Sequence, residues 1–547
     1  MNPNQSLYRT LADTASRHPE NAALHLMGTT ITYREFLKRV ERVASGLSAR
    51  GIRPGDVLTL CMPNVFDCLF AFYAANKIGA VCHMVHPMTP AKQMERFLAE
   101  TDSHFLFVLD SFHAVFEPLL GAGNLTLVLC SPVDGLSFVK RIGYRILNRK
   151  KLSGVRRHPS LLKFSAFRKT GAFVPEAPRD PKADSMLLHS GGTSGKPKTI
   201  ALSDFAVNSL AMKADFILEE EDLTDKKMLA VLPMFHGFGL CMGVHGLLCF
   251  GGCDVLMPKF SAKETIHLLQ KNQLNFIIGV PTLFENLLAN PDFAGPHLKN
   301  LRRAYVGGDF VSPTLKEQFD RTVGNHGSES RLLEGYGLTE VVTVCAVNRL
   351  SDYRPDSVGR PLPGIKVKIV DLSTREELPL GTSGEIAVAG DTRMNGYYRD
   401  PETTRATFWT GPDGDTYVLT GDYGRMGEAG HLYFQQRMKR IVKVSGMPVM
   451  PSEIEALVTA FPGVAEAAAI GVDDSERGHM IKLFVRMKSG DFRRPEETAL
   501  RKKIKEEISP YAVPKAVEFL EEMPHTLIGK VDIPALEARE REGQNGK

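Results

Sequence analysis

Apolar residues along the first two thirds of the chain follow two patterns, one helical and one typical of buried strands. Residues 7–18 form an amphipathic pattern, a hydroxyl-bearing residue precedes another helix that begins within 30–36, and residues 65–78 are an apolar stretch of helix length. Short apolar runs alternate with such segments at 57–62, 105–109, 125–130, 186–189, 228–232, 276–279 and 303–306. Strands that alternate with helices predict parallel sheets covered by helices.

The pattern changes near Val358 to alternation without long helices. Short alternating runs at 365–370, 385–388 and 433–434 predict an antiparallel, barrel-like subdomain. After a polar and basic stretch, helices and strands of a small α+β domain are predicted at 451–459, 464–472, 481–487 and 499–508. We therefore predict an α/β protein with a large N-terminal domain, 1–436, and a small mobile C-terminal domain, 437–547. The tail after Ile533 is expected to be frayed.

The composition is that of an ordinary globular protein, with 43% hydrophobic and 24% charged residues among 547. A net charge of +4 is too small to argue for a nucleic-acid partner. The eight cysteines show no Cys-x-x-Cys spacing, which favours a reducing compartment without disulfides or structural zinc. We expect a cytoplasmic protein, because the chain begins without a secretory pattern and no apolar run reaches the roughly 18–20 residues of a membrane span.

Residues 140–169 differ from the rest, because they contain eleven Lys or Arg and no acidic residue. Bulky apolar residues are interleaved with them, including Phe138, Ile142, Ile146, Leu147, Leu161, Leu162, Phe164 and Phe167. Such a stretch would lie on an anionic membrane surface as a peripheral contact, or guide an acyl chain or CoA phosphates. The alternative is a solvated insertion whose apolar residues pack on the large domain. The imperfect helical face, with Arg145 beside Phe138, favours this alternative.

The strongest candidate for chemistry is the stretch 188–200, Leu-His-Ser-Gly-Gly-Thr-Ser-Gly-Lys-Pro-Lys-Thr-Ile. Glycines allow backbone N–H groups to turn toward an anion, hydroxyls donate to its oxygens and lysines add positive charge. This is the composition of a phosphate-binding loop, although its spacing is not that of the P-loop. Taken alone, such a run is more often a solvated surface loop.

Five further motifs follow the loop. They are Leu-Pro-Met-Phe-His ending at His236, Glu-Gly-Tyr-Gly-Leu-Thr-Glu at 334–340, Thr-Gly-Asp ending at Asp422, the segment 437–455, and Gly529-Lys530. In this order the loop and motifs resemble the adenylate-forming (ANL) superfamily, which contains acyl-CoA synthetases, adenylation domains of peptide synthetases and beetle luciferases. The resemblance covers nearly the whole chain, and the motifs look closest to bacterial fatty acyl-CoA ligases.

The resemblance implies ATP, Mg²⁺ and coenzyme A, and it assigns roles in a nucleotide site. Tyr336 would stack on adenine, Thr339 would contact the α-phosphate, and Glu340 would hold the metal. Asp422 and Arg437 would bind the ribose hydroxyls. The implied ATP-binding residues are Ser190, Gly191, Gly192, Thr193, Ser194, Gly195, Lys196, Lys198, Gly308, Tyr336, Asp422 and Arg437.

The C-terminal motifs imply a mobile domain. Lys530 would be the catalytic lysine that neutralises charge between the carboxylate and the α-phosphate. Lys439 matches the hinge position, and Lys443, Ser445 and Gly446 match the loop that lines the CoA tunnel after the domain rotates.

Five positions depart from the family pattern. Gly191 stands where serine is frequent, Thr199 stands where a glycine usually closes the loop motif, and Gln436 stands where glycine or aspartate usually precedes the ribose arginine. Met447, with the proline after it, replaces a more usual polar pair in the CoA loop.

By the same resemblance His236 gates the carboxylate end of an acid pocket. The implied walls are apolar or small, namely Phe235, Gly237, Val306, Gly307, Gly335, Gly337, Leu338, Val341 and Val342, with Gly308 beside them. Amino-acid-adenylating domains usually place an aspartate after the Phe of this motif to hold the ammonium, and residues 235–244 contain none. An ammonium buried without a partner would be costly, so we expect a medium- to long-chain fatty acid.

The predicted activity is an ATP-dependent acyl-CoA ligase that forms an acyl-adenylate, releases pyrophosphate, and then makes the CoA thioester with release of AMP. An alternative acceptor is the phosphopantetheine of a carrier protein, and an alternative substrate is an aromatic acid. Alternatives of another class are a luciferase-like oxygenase and a non-catalytic binding protein. The presence of Lys530, Glu340 and Asp422 argues against the binding protein, which would be expected to have lost some of them.

Overall fold

The computed structural model describes residues 2–121, 124–136, 138–152, 158–168, 172–190, 198–271, 273–309, 311–445, 447–474, 478–488, 490, 493–526 and 531–545. The helices in these ranges are α1 (Leu7–Arg17), α2 (Tyr33–Ser48), α3 (Phe66–Lys77), α4 (Ala91–Thr101), α5 (His113–Phe116), α6 (Phe138–Leu147), α7 (Arg149–Leu152), α8 (Asp204–Ala211), α9 (Ala214–Leu218), α10 (Gly246–Leu248), α11 (Ala262–Gln270), α12 (Pro281–Leu288), α13 (Pro313–Gly324), α14 (Pro401–Thr407), α15 (Pro451–Thr459), α16 (Glu497–Glu507) and α17 (Ile533–Asn545).

The strands of the same ranges are β1 (Ala22–Leu26), β2 (Thr29–Thr32), β3 (Val57–Cys61), β4 (Val81–Met84), β5 (Phe105–Leu109), β6 (Thr126–Cys130), β7 (Leu161–Lys163), β8 (Asp184–His189), β9 (Thr199–Ser203), β10 (Lys227–Ala230), β11 (Cys253–Leu256), β12 (Phe276–Gly279), β13 (Arg303–Val306), β14 (Leu332–Gly337), β15 (Val344–Val347), β16 (Arg360–Pro361), β17 (Ile365–Val370), β18 (Ser383–Gly390), β19 (Gly396–Tyr397), β20 (Phe408–Thr410), β21 (Thr416–Met426), β22 (Leu432–Arg437), β23 (Val442–Val444), β24 (Met447–Val449), β25 (Val464–Asp474), β26 (Gly478–Met487) and β27 (Ala516–Leu520).

Two mostly parallel sheets form the large domain, as the alternation of strands and helices predicts. The first sheet has the order β19-β9-β8-β4-β3-β5-β6-β7, and the second has the order β16-β15-β14-β13-β12-β10-β11-β1-β2. Neighbours from β8 to β7 and from β14 to β1 run parallel. The remaining pairs, β8-β9, β9-β19, β14-β15, β15-β16 and β1-β2, are antiparallel. A short connection such as that between β8 and β9 joins antiparallel neighbours only.

The burial of each helix explains why its sequence is either apolar throughout or apolar on one face only. α3 is buried on every side, so its sequence has no polar face. α2 covers it with one face only, and the edge of the Tyr73 ring meets Phe36 at a centroid distance of 5.6 Å. The Thr32 hydroxyl accepts from the Glu35 backbone N–H and begins α2 at the hydroxyl-rich stretch that predicted it.

The antiparallel subdomain that the alternation predicts is a sheet of five strands among the described residues. Its order is β17-β18-β21-β20, and β22 pairs with β21. The register of the last pair sets Asp422 opposite Arg437. Two residues that the motifs single out are therefore neighbours because of strand pairing.

The C-terminal part contains the sheet β25-β26-β27 and the pair β23-β24, with α15, α16 and α17 packed nearby. The prediction of a frayed tail is wrong for residues 533–545. α17 buries Leu536 completely in a cluster with Ile470 and Phe484, and Lys482 Nζ lies 2.5 Å from Glu540 Oε2. Apolar burial and this ion pair hold the tail on the sheet.

The basic segment divides into two parts with different environments. Phe164 and Phe167 are buried in the core of the large domain, so the packing alternative is correct for this part. α6, which comes before them, has no buried residue. No helix in the described ranges combines the length and hydropathy that a bilayer span requires.

Candidate active site

Tyr336, Asp422 and Arg437 meet between the second sheet and the antiparallel subdomain. The Tyr336 hydroxyl, on β14, donates a hydrogen bond of 2.7 Å to Asp422 Oδ2, on β21. Arg437, on β22, brings Nε to 3.0 Å from Asp422 Oδ1. The two oxygens of one carboxylate thus face a phenol and a half-exposed guanidinium. Three residues from separate motifs form one cluster.

The Asp422 carboxylate is buried yet incompletely satisfied. Burial raises its pKa to about 6, against the opposing charge of Arg437. Oδ1 is fully enclosed but accepts no hydrogen bond of good geometry from the described residues. A buried acceptor without a donor is costly, so this oxygen suits a ligand hydroxyl.

Glu340 lies near this cluster, in the turn that follows β14. Its Oε1 accepts a hydrogen bond of 2.9 Å from the Tyr397 hydroxyl, on β19. Lys198 Nζ lies 4.4 Å from the centre of the Tyr397 ring, a cation–π contact. Glu340 also contributes to raising the pKa of Asp422, so the two carboxylates are electrostatic neighbours. Tyr397 therefore connects the acidic turn to the lysine that ends the loop.

The ends of the glycine-rich loop are closed by two hydrogen bonds. The Ser190 backbone N–H donates to the Lys198 carbonyl over 2.9 Å, and the Lys198 N–H donates to Ser190 Oγ over 3.1 Å. The loop thus joins β8 to β9 as a hairpin. Its predicted phosphate-binding residues Gly191, Gly192, Thr193, Ser194, Gly195 and Lys196 lie outside the described residues.

The half-buried His189, at the start of this loop, contacts the buried His83. His189 is the residue before Ser190, and its Nε2 is 2.7 Å from His83 Nε2. Burial lowers the pKa of His189 to about 4, and it lowers the pKa of His83 as well. Both rings are therefore neutral at pH 7, and one donates to the other. The His189 ring also stacks on Phe97 with centroids 3.9 Å apart, which fixes the base of the loop.

The turn after Thr339 contains a strained residue. Val342 has φ +68° and ψ −60°, and the Thr343 N–H donates to the Val341 carbonyl over 2.9 Å, which defines a γ-turn. This conformation is rare for a β-branched residue. A Cβ on Gly237 would lie 1.8 Å from the Val342 carbonyl oxygen, so the missing side chain of Gly237 admits this backbone.

Gly337 allows a second close approach of the same kind. A Cβ there would lie 1.5 Å from the Thr343 carbonyl oxygen. Both glycines were predicted as small pocket walls. The structure adds that turn backbone fills the space beside each of them.

The predicted acid pocket has aromatic and imidazole rings on its described walls. Phe235 packs on His86 with ring centroids 4.6 Å apart. The His236 Nδ1 accepts from the Phe238 N–H over 3.2 Å. Phe238 begins a π-helix, Phe238–His245, and its ring lies 3.6 Å from the Cβ position of Gly307. π-Helices occur frequently at functional sites.

Three of these residues were not predicted from the sequence: His86, Phe238 and Tyr397. His86 follows β4 at the carboxyl edge of the first sheet, where ligands of such sheets bind, and this position was an available signal. Phe238 follows the histidine motif by two residues. Tyr397 has no motif signal of its own, because its role depends on the pairing of β19 with β9.

The predicted hinge follows the last strand of the antiparallel subdomain. Lys439 is within a short helical turn, Met438–Arg440, that follows β22. Arg440 belongs to the small domain, since its Nη1 donates to Glu455 Oε2 over 3.1 Å. Gln436, one of the departures from the pattern, is buried, and its Oε1 accepts from Ser452 Oγ over 3.1 Å.

The predicted CoA-tunnel residues are described only in part. Lys443 is exposed on β23, and Ser445 has φ +51° in the turn that leads to β24. Gly446 and the predicted catalytic Lys530 lie outside the described residues.

Comparisons with known proteins agree with this arrangement of motifs. The sequence model of the AMP-binding enzyme family matches residues 11–398, and that of the AMP-binding enzyme C-terminal domain matches residues 453–530. A long-chain-fatty-acid–CoA ligase of Bacillus subtilis is 29% identical over 546 residues, which cover 97% of this chain and 93% of that protein.

Two solved structures show the same fold. The ATP-bound RpMatB-BxBclM chimera B3 superposes with a TM-score of 0.86 at 25% identity, covering 99% of each chain. A benzoate CoA ligase from Burkholderia xenovorans superposes with a TM-score of 0.82 at 21% identity, covering 97% of this chain and 99% of that one. The chain belongs to the AMP-binding enzyme family of the adenylate-forming superfamily, and it is an AMP-forming acid–thiol ligase.

Proposed function

We propose that this ligase activates a medium- to long-chain fatty acid with ATP and transfers the acyl group to coenzyme A. The observation that carries the nucleotide part is the buried Asp422 oxygen without a hydrogen bond, between Tyr336 and Arg437. A ribose hydroxyl would donate to it. The adenine ring would lie against Tyr336, and the phosphates would extend toward Glu340 and the loop that Lys198 ends.

In the first step a carboxylate oxygen of the acid attacks the α-phosphorus of ATP. The P–O bond to the β-phosphate breaks, and pyrophosphate leaves with its electron pair. The acid is already ionised at neutral pH, so no general base is required. Thr339 would hold the α-phosphate and Lys530 would neutralise the oxygens that gain charge, so positioning and electrostatics supply most of the rate.

Glu340 suits a Mg²⁺ ion. Tyr397 holds Oε1, and no described group donates to Oε2. The described residues contain no cluster of three or more His, Cys, Asp or Glu side chains placed to hold a metal. Mg²⁺ on a nucleotide typically takes only one or two protein carboxylates and keeps several waters. A Mg²⁺ ion bound at Glu340 would neutralise charge on the phosphate oxygens.

In the second step the CoA thiolate attacks the acyl carbon, and AMP leaves with the electron pair of the acyl–phosphate bond. Rotation about Lys439 would withdraw Lys530 and bring Lys443, Ser445 and Gly446 to the entry path. The alternative acceptor is the phosphopantetheine thiol of a carrier protein. The two acceptors share this chemistry and differ in the surface that the small domain must recognise.

The character of the acid pocket supports a fatty acid. Its predicted walls are apolar or glycine, and residues 235–244 carry no acidic side chain for an ammonium. The long-chain-fatty-acid–CoA ligase of B. subtilis is similar over nearly the whole chain. The benzoate CoA ligase of B. xenovorans shares the fold, so an aromatic acid is the second candidate.

The test is pyrophosphate release with ATP and Mg²⁺ on acids from acetate to palmitate, with benzoate, coumarate and several amino acids, each with and without CoA. Maximal CoA-stimulated release on medium- or long-chain fatty acids is the expected result. A maximum on benzoate or coumarate would keep the mechanism and overturn the assigned substrate. Release that CoA does not stimulate would favour the carrier-protein acceptor.

A further inference from the structure

Helix α6 presents an apolar face that the rest of the described chain leaves uncovered. Phe138, Val139, Ile142, Ile146 and Leu147 are each between 42% and 86% exposed. Five of the fifteen exposed large hydrophobic residues of the described ranges thus lie on a single helix of ten residues. Apolar side chains concentrated in this way mark an interaction surface.

The opposite side of α6 attaches it to the protein. The Tyr144 hydroxyl donates to Asp110 Oδ1, and its ring packs against the core of the large domain. Lys140 Nζ lies 3.1 Å from the Cβ position of Gly28. At about 100° per residue, Lys140 and Tyr144 share one side of the helix, and Leu147 ends the apolar face beside Lys140. Phe138, Ile142 and Ile146 lie on the other side. The apolar face therefore points away from the body that holds the helix.

The charged residues of α6 itself are all positive. Arg141 and Arg145 are exposed beside it, and residues 138–169 contain no acidic residue. Arg168 is excluded from this surface because it pairs with Asp67 and Asp134 in the core. An apolar stripe flanked by arginines is complementary to an anionic lipid surface.

The face lies on the edge of the first sheet that also carries the phosphate loop. Asp110 directly follows β5, and Ser190 directly follows β8. The parallel strands β8, β4, β3 and β5 are adjacent, so the two strand ends are about 14 Å apart. Exposed Met88, whose N–H donates to His86 Nδ1 over 2.9 Å, also lies on this edge. The same His86 packs on Phe235 of the acid pocket.

We propose that α6 docks the enzyme on anionic lipid bilayers, with its apolar side chains in the boundary between headgroups and acyl chains and Arg141 and Arg145 at the lipid phosphates. A helix of ten residues is about 15 Å long, and its face is far smaller than the roughly 800 Å² per partner of a stable protein interface. Interfacial lipid binding requires only apolar area and charge. This docking is separate from the catalytic steps, and it would hold the acid pocket near a fatty acid dissolved in the bilayer.

The first experiment is co-sedimentation of the full chain with vesicles of phosphatidylcholine alone and of equal parts phosphatidylcholine and phosphatidylglycerol. Wild type should bind the anionic vesicles more tightly. Phe138→Gln, Ile142→Gln and Ile146→Gln combined should weaken partitioning about tenfold or more, and Arg141→Gln with Arg145→Gln should weaken it about fivefold per charge. The matched control, Leu372→Gln with Leu380→Gln, removes exposed apolar residues from the antiparallel subdomain and should change nothing.

A second experiment locates the contact. All eight cysteines are buried, and burial raises the pKa of the Cys68 thiol to about 12, so a cysteine introduced on the surface can be labelled selectively. An environment-sensitive dye on Ile146→Cys should shift to the blue on anionic vesicles, and the same dye on Leu380→Cys should not.

Equal partitioning of wild type and the α6 variants would overturn the proposal. So would a dimer that dissociates in the triple variant, or tighter binding to an acidic carrier protein than to the vesicles. Pyrophosphate release from octanoate without vesicles should be the same in wild type and all variants. If no acid supports release while vesicle binding still depends on α6, the proposed substrate fails and the docking proposal stands.

Discussion

The hydroxyl of Tyr397 donates a hydrogen bond of 2.9 Å to Oε1 of Glu340, and this contact joins the end of the first sheet to the turn after β14. The same ring lies under Lys198 Nζ. One side chain thus positions both an acidic residue proposed to hold Mg²⁺ and a basic residue of the phosphate loop. Groups that orient a metal ligand commonly affect metal affinity about 10- to 100-fold.

Tyr397→Phe should therefore raise the Mg²⁺ concentration for half-maximal adenylation by about tenfold. The substitution removes the hydrogen bond but keeps the ring under Lys198, so the loop contact is preserved. Titration of pyrophosphate release with Mg²⁺ at saturating ATP measures the effect. Tyr398→Phe, at the next position, is the control and should behave as wild type. An unchanged Mg²⁺ requirement in Tyr397→Phe would show that this hydrogen bond does not position the metal ligand.

Asp422→Asn should raise KM for ATP, and it should also raise the free energy of unfolding. Loss of a charged acceptor for ribose should raise KM for ATP about 10-fold or more. Burial raises the folded-state pKa to about 6, above the unfolded value, so the stability of the wild type falls as pH rises from about 4 to about 6. The variant has an uncharged amide and avoids this loss. Its free energy of unfolding at pH 7 should therefore exceed that of the wild type by no more than about 3 kcal/mol.

Steady-state kinetics and thermal unfolding at several pH values measure both effects. In the wild type KM for ATP should rise as pH falls below about 6, because Asp422 becomes protonated. Asp415→Asn, which changes an exposed carboxylate paired with Lys366, is the control and should leave both quantities unchanged. Asp422→Asn with an unchanged KM for ATP would refute the ribose assignment.

The elements of the fold were predictable wherever burial imposed one regular pattern. The strands Phe276–Gly279, Arg303–Val306 and Ile365–Val370 and the helix Pro451–Thr459 lie at the predicted positions, because continuous or alternating apolar runs specify them. The tail after Ile533 was predicted wrongly, since it is held by buried Leu536 and by two ion pairs with residues distant in sequence, Glu540 with Lys482 and Arg539 with Glu518. Long-range contacts of this kind leave little local signal.

In the candidate site too, local motifs predict some residues, whereas long-range contacts place the others. Glu340 and Asp422 stand in local motifs, so the sequence alone could nominate them. Tyr397 and His86 reach the site through strand pairing and strand order, which no local pattern contains. The strain at Val342 was equally hidden, because it depends on a backbone approach that glycine at 237 permits.

Lys530→Ala should separate the two half-reactions. A lysine that neutralises charge at the α-phosphate acts in adenylate formation, so this step should slow about 100-fold or more. Thioester formation from supplied acyl-AMP and CoA should change less than about threefold, since Lys530 would be withdrawn by then. Pyrophosphate release measures adenylate formation, and the amount of acyl-CoA formed measures the second half-reaction.

Lys515→Ala is the control for Lys530→Ala, because it removes an exposed lysine of the same domain that pairs with Asp474. It should leave both halves intact. Equal losses in both halves of the Lys530 variant would contradict the assigned role and indicate a general defect of the small domain.

Asp254 is a buried carboxyl for which the described residues provide no hydrogen bond at either oxygen. It lies on β11 between β1 and β10, near Tyr33, and burial alone raises its pKa well above the ordinary value. Folding therefore favours the protonated form of this carboxyl relative to the unfolded chain. Its contribution to stability is full below the unfolded pKa and is lost as pH rises toward the folded one.

Asp254→Asn should accordingly match the wild type in stability near pH 4 and exceed it by roughly 1–3 °C in Tm near pH 8. Asp204→Asn is the contrasting variant, because Asp204 is equally buried but lies 3.4 Å from Arg179 Nε and accepts from Asn76 Nδ2 over 2.7 Å. Its replacement strands a buried guanidinium and should lower Tm. The Tm of both variants, measured by thermal unfolding between pH 4 and 8, tests these two expectations. A Tm for Asp254→Asn that tracks the wild type at every pH would mean that this carboxyl finds a partner or water in the folded protein.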